Sequence, residues 1–164
     1  MRKAILLLTF LAINISLIAQ NETKTSTYFF IRHAEKVLNV KNPDLTKKGE
    51  ERALAWSKML THYKIDKVLS TNYKRTLQTA KPIADKYQLQ TQIYHPYKFN
   101  VQEFIKKSKG ENVVIVGHSN TIPNLVNKFI GKDKYNEIDE TIYGNLYIVT
   151  ITNKVVQDII LNIK

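Results

Sequence analysis

The chain has 164 residues, no cysteine and a formal charge of +11. That length suits one domain, and the missing cysteines exclude a disulfide framework and a lipid-modified cysteine anchor. The lysines are scattered, with no arginine-aromatic module, so the charge is not a nucleic-acid footprint; it would draw anionic substrates towards a cleft.

Met1-Arg2-Lys3 is a basic start, Ala4 to Ile18 is apolar apart from Thr9, Asn14 and Ser16, and Ala19 is a small residue suited to cleavage before Gln20. The run is shorter than the about 20 residues of a membrane span and is followed at once by polar Asn21 to Thr27. These features predict a signal peptide over 1–19 and a mature domain over 20–164, periplasmic or secreted, with no integral membrane segment after cleavage. Arg2 and Lys3 are the only charges in the predicted signal, so the mature charge is +9.

Tyr28 to Arg32 is the first predicted strand, an apolar run ending in Arg32, His33 and Glu35. A strand that ends this way delivers polar groups to the C-terminal rim of a sheet, where open α/β folds bind ligands. After a loop to Asp44, Thr46 caps a helix over Lys47–Tyr63, with Ala53, Trp56, Met59 and Leu60 on its apolar face. Asp66 to Leu69 is a second strand, and Ser70-Thr71-Asn72 leads into a helix over Tyr73–Tyr87 that Pro82 should kink or split. Leu89 to Tyr94 is a third strand ending at His95-Pro96. Asn100 and Glu103 form a capping box opening a short helix that Gly110 stops.

Asn112 to Val116 lacks alternation and reads as a strand covered on both faces. It runs into Gly117-His118-Ser119-Asn120 and then a helix over Thr121–Ile130 closed by Gly131. Asp133 to Tyr143 is polar and irregular, and Asn145–Ile151 with Val155–Ile163 makes a hairpin turning at Thr152-Asn153-Lys154. The alternation predicts an α/β fold of three layers, a mostly parallel sheet with helices on both faces, finished by an antiparallel pair. Strand ends near Arg32-His33, Ser70 and Gly117-His118 should then converge on one rim.

From Tyr28 to about Ile151 the chain resembles the histidine phosphatase superfamily, the phosphoglycerate-mutase-like enzymes. The resemblance rests on Arg32-His33-Ala34-Glu35 in place of the usual R-H-G, and on Asp44-Leu45-Thr46-x-x-Gly49. Ser70 followed by Arg75-Thr76-x-x-Thr79-Ala80, and Gly117-His118-Ser119-Asn120, complete it. It implies a phosphoglycerate-mutase-like fold and a histidine acid phosphatase-type phosphomonoesterase that needs no metal or other cofactor. His33 would be the nucleophile, with Arg32, Arg75 and His118 catalytic and, together with Ser119 and Glu35, binding substrate. Phosphoryl transfer needs little beyond an in-line nucleophile and charge stabilisation of the equatorial oxygens, which forked guanidiniums supply.

Two positions depart from the family pattern. Ala34 replaces the common glycine, which should only tune the pocket if φ is negative there. Where many relatives place a carboxylate after the third strand to protonate the leaving oxygen, this chain has His95, which could act as imidazolium; Glu35 and Glu103 are the alternatives. The implied substrate is a small-molecule or envelope phosphate ester. A non-catalytic phosphate- or polyanion-binding module is the competing reading. A metal site built from His33, Glu35, His95 and His118 is disfavoured because paired arginines repel a cation.

Overall fold

The computed structural model describes residues 24–163. The predicted signal peptide, residues 1–19, lies outside them. Six strands form one sheet: β1 Thr25–Arg32, β2 Lys67–Ser70, β3 Thr91–Ile93, β4 Asn112–Gly117, β5 Asn145–Thr152 and β6 Val155–Asn162. Their spatial order is β3-β2-β4-β1-β5-β6, with the first four parallel and β5 and β6 added as the antiparallel pair. Four α-helices cover it: α1 Lys47–Met59, α2 Lys74–Lys86, α3 Val101–Lys107 and α4 Thr121–Ile130. Among the described residues no helix is long and apolar enough to cross a membrane.

β1 owes its central place to a run of large apolar side chains that is buried on both sides. Phe29 and Ile31 pack with Val114, Val116, Trp56 and Ile83 under α1 and α2. Tyr28 and Phe30 point the other way, joining Val113, Ile115, Ile122 and Phe129 under α3 and α4. Alternate side chains of a strand face opposite sides, so one uninterrupted apolar run serves two cores. Each such side chain, none of them measurably exposed, contributes about 1.5–3 kcal/mol through burial. The same register puts Arg32 opposite Gly117, so both polar strand ends reach the same rim.

Local signals set the element ends. The Thr46 hydroxyl accepts from the Gly49 amide at 3.2 Å, capping α1, and Asn100 accepts from the Glu103 amide at 3.1 Å, capping α3. Glu103 does not close the box; its carboxylate takes Lys107 at 2.6 Å on the helix exterior. α1 ends at Met59 and tightens into a 3₁₀ turn over Leu60–His62, so the single helix expected to Tyr63 is two pieces. The expected split at Pro82 does not occur: α2 runs through it unbroken, and the Pro82 carbonyl accepts from the Ser57 hydroxyl of α1 at 2.9 Å. Asn153 and Lys154, with φ of 48° and 70°, turn the hairpin between β5 and β6.

Gly49 has a specific job in seating α1 against the loop that follows β1. A Cβ there would lie 2.2 Å from the Glu35 carbonyl oxygen, which also accepts from the Thr46 amide at 2.9 Å. Gly49→Ala should therefore cost about 2–3 kcal/mol, at the upper end of ordinary overpacking because the obstacle is backbone. A thermal melt lowered by several degrees is the expected result; an unchanged melt would mean that the loop shifts freely.

Candidate active site

The C-terminal ends of β1, β2 and β4 open into a cleft of about 800 Å³. His33 follows β1, Thr71 follows β2, Arg75 comes from the first turn of α2, and His118 and Ser119 follow β4. His33 and His118, 85 positions apart in the chain's numbering, have ring centroids 5.5 Å apart. Lys36, Tyr94, His95 and Glu140 also line the space.

Hydrogen bonds fix the state of both imidazoles. His33 Nδ1 lies 2.8 Å from the Ala34 carbonyl oxygen, which can only accept, so Nδ1 carries the proton and Nε2 keeps its lone pair. Burial pushes the His33 pKa down from 6.5 to about 3; Arg32, Arg75 and His118 act in the same direction, against the Ala34 carbonyl. Ala34 is itself held, its amide donating to the Thr79 hydroxyl at 2.9 Å, and that hydroxyl donates on to the Arg75 carbonyl at 2.7 Å.

His118 is the reverse tautomer. Arg75 Nη2 can only donate, so at 3.2 Å it meets the His118 Nδ1 lone pair, and Nε2–H donates to the Thr71 hydroxyl at 2.9 Å. Thr71 passes the chain to Thr76 Oγ1 at 3.0 Å. Burial, then Arg75 and Arg32, pushes the His118 pKa to about 4. Both nitrogens of His118, expected among the substrate-binding residues, are thus engaged within the protein.

The two depressed histidines have a measurable consequence. In the unfolded chain both titrate near 6.5, so between about pH 6.5 and 4 the unfolded state binds more protons and stability falls as pH falls. Above 6.5 neither contributes a slope. The denaturant midpoint should drop on acidification from pH 7 to 4.5, and a His33→Asn/His118→Asn double variant should drop less; parallel curves would refute the buried neutral assignment.

The arginines divide their work. Arg75 lies over the Tyr73 ring, 4.7 Å from its centroid, and lines the cleft. Arg32 is fully buried behind the wall. Its Nη1 donates to the carbonyls of Asp139, Glu140 and Ile142 at 2.9, 3.1 and 2.7 Å, and its Nη2 to the Glu140 carboxylate at 2.8 Å. Expected as a substrate ligand, it is largely spent on the loop between α4 and β5, because a buried cation must collect acceptors. The Nε–H of Arg32 and that of Arg75 remain buried without an acceptor among the described residues.

Glu35 requires a correction. It was expected to bind substrate or act as acid, but its carboxylate takes Arg52 Nε at 3.0 and 2.9 Å and Nη2 at 2.8 Å. Pairing of Lys36 with Leu45 turns the chain over α1, so the Glu35 side chain meets that helix instead of the cleft. Glu103 is likewise held by Lys107, outside the cleft. Ser119 does line it, donating its hydroxyl to Glu140 at 2.6 Å, and His95 lines it from the β3 side.

Sequence reasoning missed Thr71, Lys36 and Glu140. Thr71 was findable, since it follows a strand aimed at the rim. Glu140 was not: it lies in an irregular polar loop with several acidic neighbours and no motif to single it out.

The sheet order and the histidine pair at its rim define an α/β protein with the phosphoglycerate-mutase-like fold. The model of the histidine phosphatase superfamily, branch 1, matches residues 28–96, the stretch that carries most of β1, His33 and Arg75. The structure is similar to the alpha-ribazole phosphatase from Shigella flexneri, at 19% identity and a TM-score of 0.67, covering 84% of this chain and 96% of that one. It is also similar to a mycobacterial glucosyl-3-phosphoglycerate phosphatase, at 11% identity and a TM-score of 0.63, covering 85% and 98%. Phosphoglycerate mutase from Bacillus anthracis str. Sterne matches at 13% identity and a TM-score of 0.60, covering 87% and 94%. No curated protein matches the sequence. At these identities the structures speak for the fold, and the chemistry rests on the site.

Proposed function

We propose that the protein is a phosphomonoesterase that works through a phosphohistidine on His33 and is exported from the cell. The observation that carries the catalytic reading is the His33 ring: buried, neutral, fixed with Nδ1–H on the Ala34 carbonyl, and so presenting an unprotonated Nε2 in a cleft walled by Arg75. A nucleophile held in this tautomer needs no prior proton loss.

Arg75 would clamp the phosphoryl group, and its unpaired Nε–H is a donor still available for an oxygen. Arg32, through its charge, would stabilise the same group from behind while holding the Glu140 loop. His118, anchored by Thr71, would hold Arg75 in place until the phosphate draws the guanidinium away, and the start of α4 adds amide ends on that side. Export is supported by the basic, apolar, then small-residue pattern of residues 1–19 alone.

A screen of the mature chain over sugar, nucleotide, lipid and protein phosphates, run with and without a chelator, tests the reading. We expect turnover of at least one alkyl or aryl monoester, insensitive to chelator, and an acid-labile phosphoenzyme trapped at alkaline pH. Tight phosphate binding without phosphoenzyme would instead identify a binding module.

A further inference from the structure

The cleft does not end at the histidines. A second cavity of about 370 Å³ lies beside it, and Pro96, Tyr97, Asn120, Thr121 and Glu137 line both. Beyond the shared lining this arm is walled by Asn124, Asn136, Lys128 and Asp133, while Asn127 spends its amide on the Lys134–Tyr135 backbone and Tyr135 its hydroxyl on Asp158. Such walls suit an uncharged partner with several hydroxyls; they lack the continuous apolar lining a lipid chain needs and the cation excess further phosphates need.

An ester whose phosphate sits at His33 has room for its alcohol in the rest of that cleft, whose lining runs on to Pro96, Tyr97 and Glu137. Two carboxylates line that part of the cleft. Glu140 is committed to Arg32 and Ser119. Glu137 is exposed and has neither a hydrogen bond nor an ion pair through its carboxylate among the described residues. It alone of the two faces both chambers, while His95 lines only the histidine chamber.

We infer that Glu137 is the proton donor to an alkoxide leaving group seated in the asparagine-lined arm, so that the site takes alkyl monoesters of polar, hydroxylated alcohols. This rests on the phosphatase reading and names the acid and substrate class for it. In the first step His33 Nε2 bonds to phosphorus and the phosphorus–oxygen ester bond breaks. Its electron pair stays on oxygen, which takes the Glu137 proton and leaves as the alcohol. In the second step a water bonds to phosphorus and gives its proton to the Glu137 carboxylate. The phosphorus–nitrogen bond breaks, its pair returns to Nε2, and inorganic phosphate departs.

The test compares glycerol 2-phosphate with p-nitrophenyl phosphate, whose phenolate leaves without a donated proton. Glu137→Gln should lower kcat/KM, which reports the phosphorylation step, by about 10²–10⁴-fold on the alkyl ester, the usual size of general-acid help, while kcat/KM on the aryl ester changes by less than about threefold; kcat on the aryl ester, which includes the shared water step, falls. Glu137→Asp should restore part of the alkyl rate. Equal losses of kcat/KM on both esters, an unchanged alkyl rate, or an alkyl-selective loss in His95→Asn in place of Glu137→Gln would each overturn the inference. So would a wild-type protein active on the aryl ester and inactive on every hydroxylated alkyl ester tried, with the phosphatase reading left standing. Inactivity on both esters with no phosphoenzyme would bring down that reading and this one together.

Discussion

His33→Ala should abolish turnover, with kcat lowered by about 10⁴-fold or more, and should remove the trapped phosphoenzyme. Loss of a covalent nucleophile is of that order because no neighbouring group can form the same intermediate. His118 cannot substitute, since its Nδ1 lone pair faces Arg75 and its Nε2–H is given to Thr71. The fold should survive, because the His33 side chain makes one hydrogen bond, to its own neighbour's carbonyl. A circular-dichroism melt close to wild type, together with lost activity, is the expected pair of results. Residual turnover within a factor of ten would mean that the phosphoryl group is passed directly to water, and the phosphohistidine step would have to go.

Arg32→Met should be a stability variant first and an activity variant second. The fully buried guanidinium serves three loop carbonyls and the Glu140 carboxylate, and an apolar side chain of similar length leaves all four acceptors without it. Removing one side of a buried charged pair costs 3–5 kcal/mol, and since the Glu140 side chain is 65% exposed the lower end applies, about 3 kcal/mol. For a chain of this size that corresponds to a melt lowered by about 6–12 °C. Glu140→Ala should cost far less, because Arg32 keeps its three carbonyls. Equal losses in the two variants would place the energy in the ion pair and not in the backbone cradle.

The placing of Arg32 against the loop before β5 also shows where sequence reasoning stopped. The run Tyr28 to Arg32, the valine-rich run before Gly117, and the caps at Thr46 and Asn100 are local signals, and each element they imply is present within a few residues. Convergence of His33, Arg75 and His118 followed from parallel strand order alone, which needs no knowledge of loops. What escaped was everything decided by the 131–144 segment, where neither period nor motif constrains the chain. That segment supplies the acceptors for Arg32 and both carboxylates of the cleft. Glu35 misled for a related reason: adjacency to His33 suggested a shared destination, but the chain turns between them and hands the carboxylate to Arg52.

The placement of β1 bears on how the chain reaches this state. Its ladder partners, Val114 and Ile148 opposite Phe29, lie about half the polypeptide or more downstream. Ribosomal synthesis therefore delivers the middle of the sheet first and withholds its neighbours until the polypeptide is nearly finished. Closing such long loops before any pairing can reward them makes folding slow, and leaves Phe29, Phe30 and Ile31 without cover in the meantime. A nascent chain truncated before Asn145 should stay bound to holding chaperones.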